Sequence, residues 1–429
     1  MTLGRTKKGP GKMRKNFTTS ITGSGIFIAT YDLAAISVAL LVLDKAWNLS
    51  GTEIAILGSS AIIGAIIGSV SAGVFADRFG RRILLLSDFA AYVFASLGSA
   101  MSPNYAWLVV FRFIVGMGIG ADFAVIFPYL AETRPAESRG KSMASVMMAA
   151  NFGMVLAYGL GALFISGNPA GWRYVLAAGG FMAVPVLLLR SRIPESILWK
   201  KKREKTILGI LKSLNRRTQR DVVVTSFTWL SYQVGDQGLS LFLPLILVTS
   251  LGIGDVTASY GSLLVKAITI PAAVLTIFLI DRVGRRPLQV YGFLGRAIPL
   301  IIMSLLLALY GAGNSAILVA LLLLAYFFGA LGPDKTVVIS PAEQFSTEHR
   351  GTGQGISESI GRIGGLIGVA GYSFLSAMYG AWAGILLFGI FAILGLVLST
   401  LFMKETKSRI PGSMPAFQEH KATDSGDSD

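Results

Sequence analysis

Three long stretches of this sequence carry no charged residue: Ile54 to Ala76, Ser142 to Trp172 and Ala297 to Pro333. A helix needs about 20 apolar residues to cross the hydrocarbon core of a bilayer. The first stretch supplies one crossing, and the second supplies a long or tilted one. The third supplies two, separated at Gly311-Ala312-Gly313-Asn314. With 53% hydrophobic and 14% charged residues and a mean hydropathy of +0.64, the chain is too apolar for a soluble fold, which carries roughly a quarter charged residues. Twelve spans are predicted, at 17–43, 53–76, 83–101, 105–131, 142–165, 173–190, 222–249, 257–280, 287–311, 315–340, 352–379 and 381–403. The expected fold class is an all-α membrane protein.

The net charge of +15 would suit nucleic acid, but its distribution excludes that partner. Basic residues fill every second loop: Arg78/Arg81/Arg82, Arg134/Arg139/Lys141, Lys200 to Lys205, Arg282/Arg285/Arg286 and Arg350. The alternate loops are almost free of them. This positive-inside pattern sets both termini in the cytoplasm, in a multi-pass protein of the cell membrane. The 17–43 stretch is too long for a signal peptide and is read as the first span. There is no cysteine, and two histidines are too few for a metal cluster. No cofactor is expected, and the protein is read as monomeric. No nucleotide loop or nucleophile elbow is present, so an enzyme is not expected and energy must come from an ion gradient.

The order of segments is a basic N-terminus (1–16), a six-span bundle (17–190), a basic linker (191–221), a second bundle (222–403) and a polar tail (404–429) expected to be disordered. The two bundles repeat each other. Asp77-Arg78-Phe79-Gly80-Arg81-Arg82 returns 204 residues later as Asp281-Arg282-Val283-Gly284-Arg285-Arg286, and Glu132 with Arg139 returns 211 residues later as Glu343 with Arg350. The same order in both halves is a duplication in parallel topology, with a central cavity between the halves. Small residues four apart (Gly64/Gly68/Ala72, Gly116/Gly120, Gly361/Gly365) let helix backbones approach closely in lipid.

At these residues the chain resembles the major facilitator superfamily. Gly73-x3-Asp77-Arg78-x-Gly80-Arg81-Arg82 resembles the loop after its second helix, and Arg112-x3-Gly116 followed by Pro128-Tyr129-Leu130-Ala131-Glu132 resembles the fourth helix of sugar porters. Tyr31-Asp32, Pro194-Glu195-Ser196 and Glu405-Thr406-Lys407 resemble further marks of the branch that sugar porters share with phosphate:proton symporters and organic-ion transporters. The residues with which sugar porters hold a hexose are not reproduced: their helix 5 Gln falls near Met147 and their helix 11 Asn on Gly361. The resemblance implies two pseudo-symmetric six-helix bundles working by alternating access. Asp77, Arg81, Glu132 and Arg139, with Asp281, Arg285, Glu343 and Arg350, are expected to latch the halves in one access state.

Charges within spans are costly and mark function. Asp32 plus 204 is Asp236, and Asp122 has its image in Asp334, so four carboxylates form two symmetry pairs. Lys266 and Arg362 have no such images. Asp32 and Asp122 are read as proton-coupling, since a buried carboxylate can take and release a proton; the alternative for each is a static clamp with a cation, and Arg112 is the cation nearest in sequence. For Asp334, beside Lys335, both readings stand open. Arg296 and Asp88 lie nearer a loop and are read as structural. Trp229, Tyr232, Gln233, Asp236, Gln237, Lys266, Asp334, Lys335 and Arg362 are the expected substrate site. A guanidinium fork suits a carboxylate or phosphate, while a pair with Glu358, one turn earlier, is the competing role for Arg362. The resulting expectation is proton-coupled symport of a small anionic metabolite, an organic acid or phosphate. A sugar or polyol:proton symporter is the alternative, and a non-transporting sensor the third reading.

Overall fold

The computed structural model describes residues 12–165, 168, 170–193, 195–196, 216–251, 255–311, 315–345 and 350–407, almost all of them helical. The first half contains α1 (Lys12–Trp47), α2 (Gly51–Phe79), α3 (Arg81–Met101), α4 (Tyr105–Thr133), α5 (Arg139–Ile165) and α6 (Gly171–Arg190). The second contains α7 (Arg216–Leu251), α8 (Asp255–Ala267), α9 (Thr269–Leu279), α10 (Arg285–Tyr310), α11 (Ser315–Leu331), α12 (Pro333–Gln344), α13 (Arg350–Tyr379) and α14 (Ala381–Leu401). Helices α8 with α9, and α11 with α12, each make one crossing, which gives twelve spans. Eleven are long and apolar enough by composition; α7 is the most polar. Most of the linker, the polar tail and the loops at 252–254, 312–314 and 346–349 lie outside the described residues.

Two predicted spans, 257–280 and 315–340, are not continuous helices. Proline explains both breaks. Its ring lacks an N–H and clashes with the carbonyl four residues earlier. Pro271 therefore ends α8 at Ala267, and Pro333 ends α11 at Leu331. Carbonyls at the breaks find side-chain partners inside the protein, as they must in lipid. The Thr276 hydroxyl donates to the Leu331 carbonyl at 2.7 Å, and the Thr269 hydroxyl donates to the Lys266 carbonyl at 2.7 Å. Helices α1 and α7 begin at Lys12 and Arg216, several residues earlier than predicted, because they run on into their basic loops.

The sharp turns from α2 to α3 and from α9 to α10 are the two copies of the repeated loop. Gly80 and Gly284 sit there at φ of 104° and 111°, a region that residues with a Cβ rarely adopt. The space beside each is filled by a carboxylate, Glu195 or Glu405. Glu195 accepts from the N–H groups of Arg81 and Arg82 at 2.9 and 3.2 Å, and Glu405 accepts from those of Arg285 and Arg286 at 3.0 and 3.1 Å. Each glutamate thus caps the first turn of the helix that follows the loop.

The predicted glycine pairs of α2 and α4 form a tight seam, whereas the predicted pair Gly361/Gly365 meets the side chains of Trp229 and Gln237 instead of a helix backbone. A Cβ on Gly64, Gly68, Gly116 or Gly120 would overlap a carbonyl oxygen of the partner helix across the α2–α4 contact. Gly364 and Gly368 play this part where α13 meets α7. The halves meet along α2 with α13 and along α5 with α8 and α9. We predict that Gly116→Val lowers the thermal-unfolding midpoint in detergent, since overpacking costs about 1–3 kcal/mol. Gly159→Ala, which would meet only Leu263 at 4.0 Å, should leave it unchanged.

Candidate functional site

At the basic-loop end, the eight predicted latch residues form two symmetric clusters. In the first, Arg81 lies 2.6 Å from Asp77 and 3.1 Å from Glu132, and Arg350 of the other half reaches Glu132 at 3.4 Å. Asp77 also crosses the interface: it accepts from Gly351 N at 3.2 Å and from Thr352 N and Oγ1 at 2.7 Å. It therefore caps the N-terminus of α13. In the second, Arg285 holds Asp281 at 2.9 Å and Glu343 at 2.7 Å, while Asp281 accepts from Lys141 N at 2.8 Å at the start of α5. Arg139 lies in the field of Glu343 and Asp281, not as the partner of Glu132 that its sequence position suggests. Ser196 and Thr406 donate to Glu132 and Glu343 at 2.5 and 2.6 Å. This end of the bundle is closed.

Deeper in the first half, Asp32 is fully buried. One of its oxygens accepts from the Tyr92 hydroxyl at 2.6 Å; the other has no hydrogen-bond partner. Arg112 donates to the main-chain carbonyl of Asp32 at 3.0 Å, and its Nε and Nη1 are buried without partners. Asp122 stands differently. Both of its oxygens are held by Arg190 of α6, at 2.6 and 2.7 Å, with the guanidinium 4.0 Å from the Phe89 ring centroid and Asp88 at 3.9 Å. The cation beside Asp122 is therefore Arg190, not Arg112.

The second half is its charged counterpart. Asp236, the image of Asp32, accepts from Tyr232 at 3.1 Å and lies 3.9 Å from Arg296. Arg296 is the residue 204 positions after Tyr92, so a phenol in one half is replaced by a guanidinium in the other. Asp334 pairs with its neighbour Lys335. Lys266 is buried with no carboxylate within ion-pair distance among the described residues. Its ammonium donates to Ser240 Oγ at 2.7 Å, touches Met154 Sδ at 3.7 Å and lies 4.5 Å from the Tyr326 ring.

Between the halves is a small cavity, lined by Ser37, Arg112, Met154, Tyr158, Gln237 and Ser240 among others. Its free interior is about 30 Å³, room for a water molecule and not for a metabolite. Of the predicted substrate residues, Gln237 lines it directly, and Lys266 stands behind Ser240 and Met154. Trp229 does not face it: the indole packs on Gly361, filling the place of any larger side chain there. Gln233 is buried nearby on α7. Arg362 pairs with Glu358 through 3.2 and 3.3 Å contacts and stacks 5.2 Å from Phe123 of the other half. The pair with Glu358 thus occupies the guanidinium that the sequence reading offers to a ligand. Sequence reasoning missed Arg190, Tyr92, Tyr158 and Ser240. It named Arg296 as structural and left out its pairing with Asp236, although the 204-residue offset from Tyr92 marks its place.

The family model described as the Major Facilitator Superfamily matches residues 22–333 and 230–425. The glucose transporter GlcP of Staphylococcus epidermidis is 29% identical over 416 residues, covering 88% of this chain and 92% of that one. The D-xylose transporter of Levilactobacillus brevis is 27% identical over 440 residues, covering 93% and 94%. Among solved structures, the proton:xylose symporter XylE bound to 6-bromo-6-deoxy-D-glucose superposes with a TM-score of 0.80 at 23% identity, covering 94% of this chain and 98% of that one.

The cross-half contacts of Asp77 carry a mutational prediction. Asp77→Ala removes charge-assisted hydrogen bonds with a net worth of roughly 1.5–3 kcal/mol each, and should favour opening of the basic-loop end. The chain has no cysteine, so a single Ser69→Cys, buried between α2 and α13, is a clean reporter. Its labelling rate by a permeant maleimide should rise about tenfold, the ratio for about 1.4 kcal/mol.

Proposed function

Because the chain belongs to the major facilitator superfamily, whose model spans most of it, and is a membrane transporter rather than an enzyme, we propose that it carries a small anionic metabolite, an organic acid or phosphate, together with a proton by alternating access. The observation that carries this reading is Lys266. A buried ammonium is expensive unless it is paired, and this one has a hydroxyl, a thioether and a ring in place of a carboxylate. An anion in the neighbouring cavity completes it. Arg112, which lines the same cavity with two unsatisfied N–H groups, offers a second contact.

Proton coupling follows from Asp32. While Asp32 is ionised, its charge balances Arg112. When it takes a proton on the oxygen that lacks a partner, the charge on Arg112 becomes available to the anion. Proton and anion then favour each other's binding, which is the condition for symport. Asp122 is placed differently: a bidentate guanidinium occupies both of its oxygens, so the proton role is assigned to Asp32. The positive-inside pattern puts the closed latch at the cytoplasmic face. Substrate enters in a conformation that widens the cavity.

A second reading, a sugar:proton symporter, is favoured by the names of the glucose and xylose relatives. Uptake into proteoliposomes with an imposed pH gradient separates the two. On the anion reading, phosphate or a carboxylate accumulates and glucose and xylose do not; accumulation of a sugar alone reverses the assignment. With the accumulated anion, Lys266→Met should weaken binding at least tenfold, about 1.4 kcal/mol. Asp32→Asn should abolish gradient-driven accumulation and spare counterflow exchange, because the amide keeps the shape and loses the titration.

A further inference from the structure

A second group of charges lies where α4 of one half faces α13 of the other. It contains Asp88, Asp122 and Arg190 on the first side and Glu358 and Arg362 on the second. Three carboxyls face two guanidiniums, so the group is neutral only when it binds one more positive charge. Asp32 and Arg112 balance each other elsewhere and do not supply it. The contacts show which carboxyls are short of a partner. Asp122 is held on both oxygens at 2.6 and 2.7 Å, the lengths of full charge-assisted bonds. Asp88 accepts a 2.6 Å bond from its neighbour Phe89 N, has Arg190 at 3.9 Å and keeps its other oxygen without a partner, but it stands in the same half as Asp122 and puts no charge across the seam. Glu358 has zero exposure. Arg362 reaches only one of its oxygens, at 3.2 and 3.3 Å, and the other has no partner. The charges that act on it are Arg362 on its own helix and Asp122 across the interface. Its chain neighbours are tied to the flanking helices: Ser357 bonds to the hydroxyls of Thr225 and Ser226 on α7, and Ser359 donates to the Ile66 carbonyl on α2.

We propose that Glu358 is a second proton-binding carboxyl, separate from Asp32, whose proton holds the two halves together on the basic-loop side. While protonated, Glu358 lets α13 lie against Asp122 without a clash of like charges. Once it loses the proton, its charge and that of Asp122 repel across the seam in low dielectric, while Arg362 rests against Phe123 of the opposing helix. Separating the halves hydrates both. The proton therefore acts on the gate and not on the substrate, and the inference does not depend on what the substrate is.

The test needs neither substrate nor gradient. Spin labels at Ile83→Cys and Leu401→Cys, both exposed and one in each half, report the separation of the basic-loop ends in the otherwise cysteine-free chain. The ratio of open to closed molecules should rise with pH, by about tenfold per pH unit in the steep part, the slope for one proton released. Glu358→Gln should abolish that slope and leave the gate closed, whereas Asp32→Asn and Asp88→Asn should keep it. A slope that survives Glu358→Gln, or that vanishes in Asp32→Asn or Asp88→Asn, overturns the proposal. Should Glu358→Gln not fold, infrared difference spectra of the unsubstituted chain between the two pH extremes decide. A protonated carboxyl band that shifts with carbon-13 glutamate supports Glu358; bands that shift only with carbon-13 aspartate overturn it.

Discussion

The first N–H groups of a helix have no partner within the helix, and two helices of this protein borrow theirs from the opposite half. Asp77, at the end of α2, receives the N–H groups of Gly351 and Thr352 that open α13. Asp281 receives that of Lys141 near the start of α5. Closure of the basic-loop end is therefore also the capping of two helices, and the halves cannot separate there without exposing those groups. What makes the latch reversible is that both partners lie near water once parted. The net cost of the exchange is that of a hydrogen bond traded for hydration, about 0.5–3 kcal/mol each, small enough for a carrier that must cycle.

The arginines behind these aspartates set their direction. Arg81 holds Asp77 from one side and Glu132 from the other, and Arg285 does the same for Asp281 and Glu343. Each arginine is itself held at the base of a helix that Glu195 or Glu405 caps. Helix end, arginine, acid and opposing helix end thus form a chain of contacts repeated twice. A glycine at positive φ starts each copy, because a side chain there would displace the capping glutamate.

Much of this frame was legible in the sequence. The repeated Asp-Arg-x-Gly-Arg-Arg loops gave the symmetry and the latch residues, since short motifs keep their spacing. Glycines four apart gave the α2–α4 seam, since a helix brings them to one face, but on α13 the seam runs along Gly364 and Gly368 and not the predicted Gly361 and Gly365. The pairings among buried charges were not legible. Arg190 is 68 residues from Asp122 and sits at the end of its helix, where a basic residue looks topogenic. Arg296 read as structural for the same reason. Only the tertiary crossing of helices decides which cation meets which carboxylate. The breaks at Ile268 and Gly332 were signalled by Pro271 and Pro333, but Pro128, Pro244 and Pro299 lie inside unbroken helices. A proline alone therefore does not mark a break: hydroxyls such as those of Thr276 and Thr269 take up carbonyls at the two breaks.

The duplication also explains why the two halves do different work. Equivalent positions hold Asp32 beside a phenol and Asp236 beside a guanidinium. The second half then carries Lys266 beyond what its two carboxylates, Asp236 and Asp334, balance against Arg296 and Lys335. Asp32 has Arg112 beside it in the first half, whereas Lys266 has no carboxylate within ion-pair distance among the described residues. A water-poor interior penalises an uncompensated charge, so on the proposed reading Lys266 is where an anionic cargo, and Asp32 where a proton, would lower the cost of closing. The placement of these two groups in opposite halves is, on that reading, a physical basis for coupling.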